Sequence, residues 1–170
     1  MKTKSSLILL IAVILQAIVF NQMGNFIPYL PYFGLIPVLL FPFKNNKTYY
    51  LIYAFINGLL IDLITGTGGV FAATAITIAY TRDLIIRFFK DDWIERHAEV
   101  CNLSFILLLL YLLTGSFLIT LLVYIFDSGS FVIPFRDSKH LVVHAMVNAF
   151  FYFIFTILFF WDNTRKSVLG

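Results

Sequence analysis

The sequence predicts an all-α integral membrane protein of about six transmembrane helices with both termini in the cytoplasm. Three observations carry that expectation. Of the 170 residues, 61% are hydrophobic and only 12% are charged, whereas an ordinary soluble domain has about 45–50% apolar and about 25% charged residues. The mean hydropathy of +0.92 points the same way, because a soluble globule of this size could not hide so much apolar surface. Apolar runs of membrane-crossing length also recur along the chain, and at about 20 residues per crossing there is room for roughly six with short connectors. The same arithmetic leaves no space for a sizeable extramembrane domain. Residues 1–170 therefore read as a single multi-span membrane domain, which argues against a nucleotide-binding fold.

The net charge of +3 does not point to nucleic acid, since membrane proteins collect Lys and Arg for orientation. A lone cysteine, Cys101, excludes an internal disulfide and a cysteine-based metal cluster.

The first span runs from about Ser6 to Phe20. Lys2 and Lys4 before the run Leu7 to Phe20 imitate a secretory signal, but the run ends in Val19-Phe20-Asn21-Gln22-Met23 without a small-x-small cleavage site, so it reads as an uncleaved span. The second, about Ile27 to Phe43, contains Pro28, Pro31, Pro37 and Pro42. Pro28 and Pro31 suit an entry turn, while Pro37 is expected to kink the helix and free a carbonyl. The result is either a bent packing helix or a cavity wall where freed backbone groups meet a ligand or partner.

The third span is about Tyr49 to Ile64 and the fourth about Val70 to Phe88. A stretch from Arg82 to Glu99 then mixes four basic with five acidic residues around Phe88, Phe89, Trp93 and Ile94. It reads as a helix extension at the cytoplasmic interface, and its near-neutral charge argues against a polybasic lipid sensor. The fifth span is about Leu103 to Phe126 and the sixth about Leu141 to Trp161, joined by a connector from Asp127 to His140.

Orientation follows from the basic residues. One side receives ten, Lys2, Lys4, Lys44, Lys47, Arg82, Arg87, Lys90, Arg96, Arg165 and Lys166, and the other only two, Arg136 and Lys139. That bias places both termini inside.

The most informative segment is Asn57-Gly58-Leu59-Leu60-Ile61-Asp62-Leu63-Ile64-Thr65-Gly66-Thr67-Gly68-Gly69. A carboxylate inside an apolar run costs about 2.5–3.5 kcal/mol on insertion scales, so Asp62 needs a partner. Gly66, Gly68 and Gly69 allow a tight turn whose free N–H groups can supply it. Asp62 then either caps the next helix and fixes the hairpin, with Gly58 and Thr65 in the same motif, or forms a binding or coupling site. A catalytic role has less to recommend it, because no second acid, nucleophile–base pair or metal-ligand cluster is readable nearby.

In the sixth span His140, His144, Asn148, Tyr152 and Thr156 fall four apart, which makes one polar stripe facing other helices. The His pair at i and i+4 lacks a third ligand and the Glu of a zinc protease motif, so no metal site is expected. In the Asp127–His140 connector, Phe131, Ile133, Phe135 and Arg136 mix apolar and charged groups on the largest outward surface. That mixture suits contact with a partner protein.

The run Pro31-Tyr-Phe-Gly-Leu-Ile-Pro-Val-Leu-Leu-Phe-Pro-Phe43, then Gly58 to Gly69, then an Ala-rich helix ending in Tyr80-Thr81-Arg82, resembles the bacterial rod-shape-determining MreD family, in the form of its Bacteroidetes branch. The likeness covers about Pro28 to Phe89, with Gly-x-x-x-Asp-x-x-(Ser/Thr)-Gly at its centre. Two positions depart from many members: Thr67-Gly68-Gly69 replaces a Pro-(Leu/Gly)-Gly, and Phe71 stands where a His is common. The resemblance implies a non-enzymatic, cofactor-free, multi-pass inner-membrane subunit of the cell-elongation machinery. It would act with the single-span periplasmic protein MreC, beside the MreB filament and the RodA–transpeptidase pair, and help organise lateral peptidoglycan synthesis and cell shape.

The family fold is also similar to the substrate-binding S-component of vitamin transporters, so a small-molecule carrier is the alternative. Ala75–Ala79 and Ala145–Ala149 have the small-residue spacing that such a carrier uses to dock its coupling subunit, and tight helix packing uses the same spacing.

Overall fold

The computed structural model describes residues 11–16, 18, 31–41, 46–89, 105–129 and 135–168, which are almost entirely helical with no strand among them. Residues 11–16 form α1. A 3-10 turn at Phe33–Leu35 leads into a single-turn helix, α2, at Ile36–Leu39. Four long helices follow: α3 at Lys47–Thr65, α4 at Val70–Phe89, α5 at Phe105–Ser128 and α6 at Phe135–Val168. Helices α3 and α5, and the stretch Ser138–Leu158 of α6, are long and apolar enough to cross a membrane. At 20 residues α4 reaches about 30 Å, but it carries Arg82, Asp83 and Arg87 toward its end.

Helix boundaries follow local chemistry. Asn46 caps α3, its side chain accepting the Thr48 N–H at 3.2 Å, so the helix starts before Tyr49. It stops at Gly66, whose left-handed φ of 72° is a conformation that costs glycine little. The Gly66 N–H donates to the Asp62 carbonyl at 2.7 Å and closes the last turn.

Two expectations are corrected. The second span is not a kinked helix through Pro37 where it is described: Tyr32 is non-helical, and Pro37 lies near the start of the one-turn α2. There its missing N–H costs no intrahelical bond. The expected outward connector from Asp127 to His140 is also shorter. Helix α5 continues through Ser128 and α6 already begins at Phe135. No Gly or Pro interrupts the chain from Phe135 to Val168, so nothing stops the helix from including Arg136 to His140.

Helix α3 packs along α4, α4 along α5 and α5 along α6, while the 3-10 turn and α2 lie inside against α3, α4 and α6. Residues 34–41 are all buried. Apolar side chains on the outer faces of the long helices, such as Leu63, Ile106, Met146 and Leu158, are exposed, the distribution of a bundle whose outside meets lipid.

Candidate functional site

Two polar constructions stand out in the bundle: a clasped turn between α3 and α4, and a cage around the broken segment 31–41.

At the turn, Gly58 lets two backbones meet. A Cβ there would lie 2.5 Å from the Ala72 Cα and 2.6 Å from the Phe71 carbonyl oxygen, so only glycine permits this approach. One helical turn later, Asp62 faces the same first turn of α4. Its Oδ1 accepts the Phe71 N–H at 3.0 Å and the Thr67 hydroxyl at 2.6 Å, and its Oδ2 accepts the Ala72 N–H at 2.8 Å. These are the second and third N–H groups of α4, the donors that a capping side chain normally satisfies. Gly69, which precedes the helix, has no side chain to do it. Asp62 therefore caps α4 from across the turn, where its negative charge also suits the helix N-terminus.

Thr65 completes the clasp. Its hydroxyl donates back to the Ile61 carbonyl at 2.9 Å and lies 2.9 Å from the Thr67 hydroxyl. Gly66, Gly68 and Gly69 all take positive φ, between 64° and 104°. The carboxylate, 6% exposed, is surrounded by the donors of its own hairpin.

In the cage, the segment 31–41 leaves backbone groups that no helix ladder satisfies, and side chains from every surrounding helix reach in. The Gly34 N–H donates to Gln16 Oε1 of α1 at 3.2 Å, and its carbonyl accepts from Asn57 Nδ2 of α3 at 2.6 Å. The Tyr32 N–H donates to Asn148 Oδ1 of α6 at 2.8 Å, and the Tyr32 carbonyl accepts the Tyr152 hydroxyl at 2.8 Å. Asn148 Nδ2 continues to Thr120 of α5 at 3.0 Å. The hydroxyls of Tyr50 and Tyr111 donate to the carbonyls of Val38 and Leu39 at 2.7 and 2.8 Å. Irregular backbone at membrane depth survives only where protein satisfies it in this way.

Arg82 closes the end of the cage at Phe41. It is 2% exposed, donates from Nη1 to the carbonyls of Phe41 and Val38, and lies over the Tyr50 ring at 3.9 Å. Its Nε is 3.6 Å from Asp83 Oδ1. A buried guanidinium is costly unless paired and hydrogen-bonded, and here it is both.

The structure brings Gly58, Asp62, Thr65, Gly66, Gly68 and Gly69 together at the turn. Of the polar stripe, Asn148, Tyr152 and Thr156 are buried, and His144 is half-buried with its ring 4.7 Å from that of Tyr32. His140 is exposed near the start of α6, so the stripe turns inward only from its second member on. Phe131 and Ile133 lie outside the described residues, whereas Phe135 and Arg136 belong to the first turn of α6.

Sequence reasoning did not single out Gln16, Tyr50 or Tyr111, and it named Asn57 and Arg82 without this role: Asn57 opens the Asp62 segment, and Arg82 counts as an interfacial charge. A signal for Arg82 existed: it falls in the stripe Ala75, Ile78, Ala79, Ile85, all buried, whose three- and four-residue spacing marks one helix face. Among the described residues no group of three His, Cys, Asp or Glu is placed to hold a metal ion. No protein-family model matches the chain, and no curated protein or solved structure matches it.

Proposed function

We propose that the chain is a non-enzymatic, multi-pass subunit of the bacterial inner membrane, MreD-like, that helps hold the cell-elongation complex together by binding an MreC-like single-span protein. The RodA–transpeptidase pair and the MreB filament would be its further neighbours. The observation that carries the reading is the saturation of Asp62. The residue at the centre of the family-like motif spends both carboxylate oxygens on the N-terminus of α4 and on Thr67, so the motif serves as a frame for the bundle. A scaffold needs such a frame; a catalyst would need that carboxylate available.

The buried positions of Ala75 and Ala79 also support a scaffold over a carrier, because that small-residue stripe faces the interior and not a coupling subunit. One observation favours the carrier: among the described residues, Gln16 Nε2 and Asn57 Oδ1 are buried without a hydrogen-bond partner on either side of Gly34, as groups awaiting a polar ligand would be.

Depletion in a rod-shaped host, with affinity recovery of the tagged protein in mild detergent, tests the two. The scaffold reading expects rounded cells and recovery of a single-span periplasmic protein in stoichiometric amount. Normal cell shape, with a vitamin-like molecule retained through purification, would replace it by the carrier.

A further inference from the structure

The peptide groups of Gly34 are held from two helices by amides. The N–H donates to Gln16 Oε1 at 3.2 Å, and the carbonyl accepts from Asn57 Nδ2 at 2.6 Å. The second bond answers a local deficit. A 3-10 turn would find the donor for this carbonyl three residues on, and that residue is Pro37, which has no N–H. The two bonds also fix which way each amide points. With Oε1 on an N–H, the other end of Gln16 is a donor; with Nδ2 on a carbonyl, the other end of Asn57 is an acceptor.

Those two ends are left over. Gln16 Nε2 and Asn57 Oδ1 have no hydrogen-bond partner among the described residues, and both side chains are 0% exposed. A buried amide end left unmade is expensive, so proteins satisfy nearly all of them with protein groups or ordered water. Whatever satisfies these must offer an acceptor to Gln16 and a donor to Asn57. An O–H group does both.

Space separates water from a larger hydroxyl compound. A methyl group on Gly34 would stand 2.5 Å from Ile61 Cδ1 and 2.7 Å from Ile61 Cγ1, so carbon already fills that side of the clamp. Leu35 and Ile36, which follow Gly34, and Ile61 are at most 1% exposed. A carbon skeleton has no room against that face of Gly34, and water is the smallest group with the required chemistry.

We propose that ordered water completes the Gly34 clamp, accepting from Gln16 Nε2 and donating to Asn57 Oδ1, as an internal hydration site between α1, α3 and the broken segment. The inference does not rest on the scaffold reading, and it accounts for the two amide ends without a carried molecule.

Hydroxyl-radical labelling of the purified protein by X-ray pulses, mapped by mass spectrometry, tests it. Radicals form from bound water as they do from bulk water, so a side chain beside bound water is oxidised even where solvent is excluded. Ile61 is the reporter, because it lies over Gly34 and one turn after Asn57. Ile119, likewise 0% exposed, is the reference. Ile61 should be labelled several-fold more than Ile119. Gln16→Met, which keeps the length of the side chain without its amide, should reduce that excess.

Equal labelling of the two isoleucines in wild type would overturn the proposal. So would an excess that Gln16→Met and Asn57→Leu both leave unchanged, since the water would then lie elsewhere. A hydroxyl-bearing molecule that stays bound in native mass spectra, and is lost with Gln16→Met, would overturn it in favour of a carried ligand. The wild-type comparison needs no variant, so it decides even where a variant fails to fold. Cell shape on depletion does not enter this measurement, so the hydration site and the scaffold reading fail separately.

Discussion

Asp62 and Gly58 do one job between them, and their substitutions should reveal it. Asp62→Leu strands the Phe71 and Ala72 N–H groups in a buried place, at about 1–3 kcal/mol each. Asp62→Asn retains one acceptor oxygen and turns an NH2 group toward the remaining donor, so it should fall between wild type and leucine. Melting temperature in detergent should rank them wild type, Asn, Leu, and a leucine variant as stable as wild type would remove the capping role. Gly58→Ala acts on the same bonds from the other side. Its Cβ meets the backbone of Ala72 and not a yielding side chain, so α4 must move away, at a cost of about 1–3 kcal/mol. That movement draws the Ala72 N–H from the carboxylate. The double variant Gly58→Ala, Asp62→Leu should therefore destabilise by less than the sum of the two, as for residues sharing one contact. Strict additivity in a double-mutant cycle would show that the two act separately.

At the scale of elements, the four long helices were legible because each is an apolar run bounded by turn chemistry: Asn46 before α3, Gly66 to Gly69 between α3 and α4. The Asp62 cap was legible as one of two readings, since a buried acid beside three glycines has few other ways to be satisfied. The cage was not. Four prolines announced an irregular second segment, but the groups that satisfy it come from 12 to 120 residues away, and no local pattern links Tyr152 to the Tyr32 carbonyl. Arg82 was read as an interfacial charge because it opens a charged stretch, whereas the apolar stripe it belongs to carries it inward. The cage predicts unequal losses along α6. Asn148 bridges Tyr32 and Thr120 through both ends of its amide, so Asn148→Leu takes away both contacts and strands the Tyr32 N–H, while the Thr120 hydroxyl keeps the Ser116 carbonyl at 2.8 Å. The Tyr32 carbonyl also accepts the Leu35 N–H at 3.1 Å, so Tyr152→Phe leaves it partnered and should cost only about 0.6 kcal/mol, the average for polar contacts between membrane helices. Thermal unfolding in detergent should show Asn148→Leu the more damaging of the two. Equal losses would mean that Asn148 does not hold the segment.

For the whole molecule, side-chain contacts sort the helix ends into two sets, and the charges agree with the sorting. Lys47 at the start of α3 lies over the Tyr80 ring of α4 at 4.7 Å, and Arg82 reaches Tyr50 and Phe41. Tyr111, near the start of α5, joins the same end through the Leu39 carbonyl. At the opposite end, Phe71 and His144 both meet the Tyr32 ring, at 5.4 and 4.7 Å, which brings the start of α4 and the first third of α6 together. The first set carries Lys47, Arg82 and Arg87, while the second holds the glycine turn Gly66–Gly69. If a bilayer lies between the sets, the basic one belongs in the cytoplasm. A reporter fused after Phe43 or after Gly170 should then score as cytoplasmic, and one inserted at Gly68 or between Ser128 and Phe135 should score as exported. The insertion at Gly68 is the sharpest of the four, because that exposed turn sits only two residues beyond the helix end that Asp62 holds in place. An exported carboxyl terminus, or a cytoplasmic Gly68, would break the agreement between charge and packing and with it the expectation of six spans.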